Sequence, residues 1–148
     1  MQKGQYTEAD IDFMCLTDKS RNPSRLQELI EFIKLNNYQK IGIASCFSVY
    51  AYAQKLKSIL EEEGIEVCIA HCKESKLKAS ELSPTLKGLS CDPKSQAQYL
   101  NDEQTELNIN FGLCLGHGIL FDKYSNAPTT TLFVKDPCNS HNVVDNFL

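Results

Sequence analysis

The stretch Lys40-Ile41-Gly42-Ile43-Ala44-Ser45-Cys46 decides the fold. Its short apolar run, with two β-branched isoleucines and small residues between them, reads as a buried strand that stops at a cysteine. Downstream, Val49, Tyr52, Ala53, Leu56 and Leu60 recur at helical spacing, and Gly64 supplies a left-handed exit. Ile65-Glu66-Val67-Cys68-Ile69-Ala70-His71 is then a second strand. A Lys/Ser-rich loop broken by Pro84 and Gly88 leads to Cys91, and Asp92-Pro93 opens a short helix through Leu100. Leu107-Asn108-Ile109-Asn110-Phe111 is a third strand, and residues 129–135, rich in β-branched side chains, are a fourth.

Upstream, Leu26, Leu29, Ile30 and Ile33 mark one face of a helix. Pro23 suits its first position, Ser24 with Gln27 suits a capping box, and Asn36-Asn37 suits a stop. Residues 1–21 are polar and read as an N-terminal extension that wraps or frays. Residues 22–148 read as a single α/β domain. Helices and strands alternate, which predicts a three-layer, Rossmann-like or flavodoxin-like arrangement. Its sheet is mainly four-stranded and parallel, with helices on both faces.

The bulk numbers narrow the function. Hydrophobic residues make up 42% of the 148 and charged residues 23%, which suffices for a core without staples. The formal charge is −4, and the only arginines, Arg21 and Arg25, precede the first strand, so a nucleic-acid footprint is not expected. Lys73, Lys76, Lys78, Lys87 and Lys94 lie in a stretch that also holds three acids and reads as a solvated loop. No apolar run is long enough for a membrane helix, and Met1-Gln2-Lys3-Gly4-Gln5-Tyr6 has no hydrophobic leader, so the expected location is cytoplasmic. Seven cysteines, about 5% of the chain, are too few for a disulfide scaffold and odd in number. In a reducing compartment they are expected to be core thiols, nucleophiles or metal ligands.

Cys46, Cys72 and Cys114 each follow a strand, and Cys91 precedes a helix that runs back across the sheet. In an open parallel sheet all four belong to the edge where the strands end, which is where ligands bind in such folds. Four thiols there suit tetrahedral zinc or a 4Fe–4S cluster, because coordination stabilises a thiolate that an apolar interior does not. Helix N-termini after Cys46, Cys91 and Cys114 would offset the negative charge. Cys114-Leu115-Gly116-His117 and Cys138-Asn139-Ser140-His141 are both C-x-x-H and leave a Cys2His2 set open. Cys68 reads as a core thiol, Cys15 has no evident partner, and His71 is expected on the face opposite Cys72.

Ordered blocks then carry a family resemblance. They are Ile41-Gly42-Ile43-Ala44-Ser45-Cys46, Cys72-Lys73, Cys91-Asp92-Pro93 with Gln96-Ala97 and Leu100-Asn101, Leu107-Asn108-Ile109 with Gly112-Leu113-Cys114-Leu115-Gly116-His117, and Ala127-Pro128 through Lys135-Asp136 and His141-Asn142. Over roughly residues 24–147 the chain resembles the cysteine-rich domain-of-unknown-function family eighteen-forty-seven, predicted metal-binding proteins of bacteria and archaea. The resemblance implies Cys46, Cys72, Cys91 and Cys114 as motif cysteines that hold the metal. It also implies His117, Lys135, Asp136 and His141 as motif polar residues that line the cofactor or substrate. The family's usual N-terminal cysteine-rich segment is not seen here. Gly118, Pro137 and Val143 stand where an acidic residue, a basic residue and a proline are usual.

The leading expectation is a metal-binding protein, with a 4Fe–4S cluster or zinc and a redox, sensing or carrier role. Its partner would be a small molecule or a redox protein, not a nucleic acid or a membrane. The alternative is a transferase or thiol-exchange enzyme with Cys46 or Cys114 as nucleophile and His117 or His141 as base. Tyr52, six residues after Cys46, stands where a tyrosine phosphatase needs arginine. The glycines Gly112, Gly116 and Gly118 form no GxGxxG, so a nucleotide site is the weaker reading.

Overall fold

A computed structural model describes residues 3–148. The chain falls into two compact units, one ending at Tyr38 and one spanning Gln39–Leu148. The first holds helices α1 (Glu8–Ser20) and α2 (Arg25–Leu35). Residues 8–20 are thus helical where the polar composition suggested a fraying extension; Met1 and Gln2 lie outside the described residues. The missed signal is a reciprocal capping box: Asp10 N–H donates to Thr7 Oγ1 at 3.1 Å, and Thr7 N–H donates to Asp10 Oδ2 at 2.8 Å. Phe13 of α1 stacks on Phe32 of α2 with centroids 5.8 Å apart. Ser24 caps α2 by accepting Gln27 N–H, and Pro23 stands before the cap, not in the first helical position.

The second unit is the α/β domain. Strands β1 (Lys40–Ser45), β2 (Glu66–His71), β3 (Leu107–Phe111) and β4 (Thr129–Phe133) form one parallel sheet in the order β2-β1-β3-β4. Three helices connect them: α3 (Tyr50–Glu62), α4 (Pro93–Asp102) and α5 (Leu115–Tyr124). The register pairs Ser45 with both His71 and Phe111, so the strands end level.

Alternate side chains settle which helix covers which face. Gly42, Cys68 and Asn108 are register partners, and a Cβ on Gly42 would strike Asn108 and Leu100, so α4 packs on their face. Gly118 of α5 lies against Asn110 on that same face. On the other face, Tyr50 at the start of α3 meets the His71 ring edge-on at 5.1 Å. Ile41, Ile43, Leu60, Leu100, Ile109 and Phe121 are fully buried between these layers. Each such side chain contributes about 1.5–3 kcal/mol of transfer free energy. Cys68 is buried in β2, as its alternation with Val67 and Ile69 suggested.

The order β2-β1-β3-β4 has one consequence for the site. The chain leaves β1 toward β2 and then returns past β1 to β3, so connections diverge between β1 and β3. That divergence opens a crevice above the strand ends, the usual ligand position in open α/β sheets.

Candidate functional site

Cys46 leaves β1 directly above that crevice. Its N–H donates to Phe111 O at 3.2 Å, which ties it to the end of β3. It opens a short 3-10 turn, Phe47–Val49, that feeds α3. Cys114 leaves β3 through Gly112, whose φ of +74° and proximity to Val49, 2.7 Å from an ideal Cβ, leave room only for glycine. Cys114 is the N-cap residue of α5, and its carbonyl accepts Gly118 N–H at 2.8 Å. Both cysteines therefore sit at the start of a helix or turn.

Lys135, two residues beyond β4, joins them. Its ammonium donates to Cys114 Sγ at 2.9 Å and to Cys46 Sγ at 3.3 Å. The Ser48 hydroxyl lies 3.1 Å from Cys46 Sγ. Burial works against ionising Cys46, but hydrogen bonds from Ser48 and the nearby Lys135 charge hold its thiol below the ordinary value. Lys135 is raised in turn, first by its hydrogen bond to Cys114 and then, against burial, by its bond to Cys46. Cys46 is 7% exposed, whereas Cys114 is half-exposed.

Cys72 and Cys91 form a second pair, with sulfurs 3.5 Å apart. Cys72 follows β2 and is 2% exposed; Cys91 precedes the N-cap of α4 and is half-buried. The strand end and the helix start are held together by Asp92 N–H donating to Cys72 O at 2.7 Å. Burial pushes the Cys72 thiol up to about 12, and the adjacent Cys91 adds to the rise against a 3.3 Å hydrogen bond from Phe47 N–H. That Phe47 bond links the second pair to the turn that carries Cys46.

The expected polar residues divide. Asp136 and His141 build the turn that carries Lys135. His141 Nδ1 accepts Asp136 N–H at 3.0 Å, and His141 N–H donates to Asp136 O at 2.8 Å. Asp136 Oδ2 accepts from Asn139 at 3.0 Å and from Asn146 at 2.8 Å; these bonds hold its carboxyl below the usual range. Ser140 and His141 both adopt positive φ to close this turn, and the His141 ring rests on Phe133 at 5.0 Å. His117 lies half-exposed on α5 and takes no part in the bonds around Lys135. Cys138 donates to Asp136 Oδ1 at 3.6 Å and is exposed, as is Cys15. Ser48 and Gln96 are contributors that the sequence reading missed. Ser48 was legible as a hydroxyl two residues after a cysteine, while Gln96 was seen only as part of a motif.

A four-cysteine zinc or 4Fe–4S centre would need the four thiols as one set. Among the described residues, no three Cys, His, Asp or Glu side chains stand together as a group able to hold a metal ion. The Cys72–Cys91 spacing approaches two corners of a thiolate tetrahedron, whose sulfurs lie about 3.8 Å apart at a Zn–S distance of about 2.3 Å. The other two sulfurs are engaged by an ammonium. The arrangement brings two thiols to near-ligand spacing and does not fit a four-thiol centre.

A four-stranded parallel sheet in the flavodoxin-like order 2-1-3-4, with thiols above its switch point, defines a cysteine-bearing α/β protein. The chain belongs to the family described as "Protein of unknown function (DUF1847)", whose model matches residues 3–132. It is 47% identical over 123 residues to the uncharacterized protein MJ0455 of Methanocaldococcus jannaschii, an alignment covering 80% of this chain. The chain spans 64% of that relative's length. No solved structure matches it. No helix among the described residues is long and apolar enough to cross a membrane.

Proposed function

We propose that this edge is a thiol-exchange centre in which Cys114 and Cys46, held by Lys135, react with a disulfide substrate. The observation that supports it is the single ammonium within 3.3 Å of both sulfurs. Cys114 is the better exposed sulfur and the one that meets the substrate. Its thiolate attacks one sulfur of the disulfide; a Cys114–substrate S–S bond forms and the second substrate sulfur leaves as a thiolate, taking a proton from water. The Cys46 thiolate then displaces the first substrate sulfur. The protein dithiol is oxidised to a disulfide, the substrate is reduced to two thiols, and a cellular dithiol regenerates the pair. Lys135 acts by charge, in place of the histidine base expected from the sequence.

A small aromatic disulfide added to a Cys15→Ser, Cys138→Ser background tests this by peptide mapping. The expected first product is a mixed disulfide on Cys114, followed by a Cys46–Cys114 bond. First reaction at Cys91 would overturn the assignment.

A second reading keeps the metal, on the strength of the 3.5 Å Cys72–Cys91 spacing. Those two thiols would be two of the ligands of a zinc ion, the others coming from a bound molecule, and zinc would supply Lewis-acid chemistry there. Stoichiometric metal in anaerobically purified protein would favour this reading, and loss of that metal in Cys72→Ser would place it.

A further inference from the structure

The two thiol pairs meet through one turn. Phe47, the residue after Cys46, donates its N–H to Cys72 Sγ at 3.3 Å, and the Cys46 and Cys72 sulfurs lie close enough to interact electrostatically. Cys91 Sγ lies 3.5 Å from Cys72 Sγ. The sulfurs thus form a series that starts at the Lys135 ammonium and passes through Cys46 to Cys72 and Cys91. Closing the 3.5 Å gap to a disulfide bond of about 2.05 Å needs a movement of about 1.5 Å, which side-chain rotation supplies. The two backbones are already drawn together by Asp92 N–H, which donates to Cys72 O at 2.7 Å.

The surroundings give this series a direction. Cys46 and Cys114 each meet the Lys135 ammonium, so a sulfur displaced from a disulfide between them departs with its charge beside a cation. Cys72 is 2% exposed and its partners are neutral, the Phe47 N–H and the Cys91 thiol. An uncharged disulfide suits that buried position better than a thiolate does. Electrons are therefore favoured to move from the buried pair to the Lys135 pair.

We propose that Cys72 and Cys91 are the internal reductant of the Cys46–Cys114 disulfide, a role that rests on the thiol-exchange reading of the Lys135 centre. Cys72 gives its proton to water and attacks Cys46 Sγ; a Cys72–Cys46 bond forms, and Cys114 leaves as a thiolate beside Lys135. Cys91 gives up its proton in the same way and attacks Cys72 Sγ; a Cys72–Cys91 bond forms, and Cys46 leaves as a thiolate between Ser48 and Lys135. Two electrons have moved, the Lys135 pair is reduced and the buried pair is oxidised. The cellular dithiol that closes the cycle then attacks at Cys91, the more exposed sulfur of the buried pair.

A single equivalent of a small aromatic disulfide, added anaerobically to the reduced Cys15→Ser, Cys138→Ser protein, tests it by acid quenching at intervals and peptide mapping. The Cys46–Cys114 bond is expected to appear first and then to be lost as the Cys72–Cys91 bond replaces it, with no further oxidant. In Cys91→Ser the oxidation should stay on Cys46, as a bond to Cys114 or to Cys72. A Cys46–Cys114 bond that persists while Cys72 and Cys91 stay reduced would overturn the relay and leave thiol exchange standing. No Cys46–Cys114 bond at any time would overturn both. A Cys72–Cys91 bond that forms equally fast in Cys114→Ser would show that the buried pair takes the oxidant directly, which also overturns the relay.

Discussion

The two thiol pairs on the sheet edge use the same residue type at matching strand and helix ends, yet they differ in the one partner that sets their chemistry. Cys46 and Cys114 share the Lys135 ammonium, and Cys46 is held below the ordinary thiol range. Cys72 and Cys91 have each other at 3.5 Å, and burial pushes Cys72 up to about 12. Strand ends gather the sulfurs; a cation arriving from β4 contacts one pair and not the other.

The largest break in this comparison is expected from Lys135→Met. Removing a charged hydrogen-bond donor costs about 1.5–3 kcal/mol of thiolate stabilisation, or roughly tenfold to a hundredfold in the thiolate population. Alkylation of Cys46 at neutral pH should slow by that factor, while Cys72 and Cys91 keep their rates. Iodoacetamide labelling resolved by peptide mass spectrometry checks it. Equal slowing of both pairs would mean that Lys135 acts on the fold as a whole.

The pairs should also oppose each other in pH-dependent stability. Cys72 has a folded pKa above that of the unfolded chain, near 12 against about 8.5. Its contribution is therefore complete below about pH 8.5, and it is lost as pH rises toward the folded value. Cys46 is depressed, so its contribution is complete above the unfolded thiol pKa and is lost as pH falls through the folded one. Urea midpoints between pH 8 and pH 10.5 should fall less steeply for Cys72→Ala than for the parent chain. Cys46→Ala should instead lose the rise in stability that the parent shows as pH climbs toward 8.5.

The part of this contrast that a sequence reader can see is the backbone part. The run through Ile41 and Ile43, the β-branched fourth strand and the capped helix starts all lie in local windows, and they placed the four strands and the thiols at their ends. Helix α1 was hidden because its stabilisation is a cap, Thr7 with Asp10, and not an apolar stripe. The division of four thiols into two pairs was not legible, because it depends on Lys135 reaching a sulfur 89 positions away. Lys135 and Asp136 were recognisable as a motif, but their roles are unlike: one contacts sulfur, and the other, with His141, builds the turn that delivers it. His117 sits on α5 and takes no part in the bonds around Lys135, since a C-x-x-H spacing fixes proximity along the chain and not direction.

The finest test of the contrast is Ser48→Ala. The Ser48 hydroxyl lies 3.1 Å from Cys46 Sγ and, among the described residues, has no counterpart at Cys114. A neutral hydroxyl contributes about 0.5–1.5 kcal/mol to such a thiolate, so Cys46 alkylation at neutral pH should slow about twofold to tenfold. Cys114, whose sulfur meets Lys135, should keep its rate. The hydroxyl lies close to the turn that donates Phe47 N–H to Cys72, so Cys72 labelling reports any shift of that turn. An unchanged Cys72 with a slowed Cys46 assigns the effect to the hydroxyl itself. Acceleration at both would mean that Ser48 closes the turn over the two buried sulfurs and that access, not charge, limits their reaction.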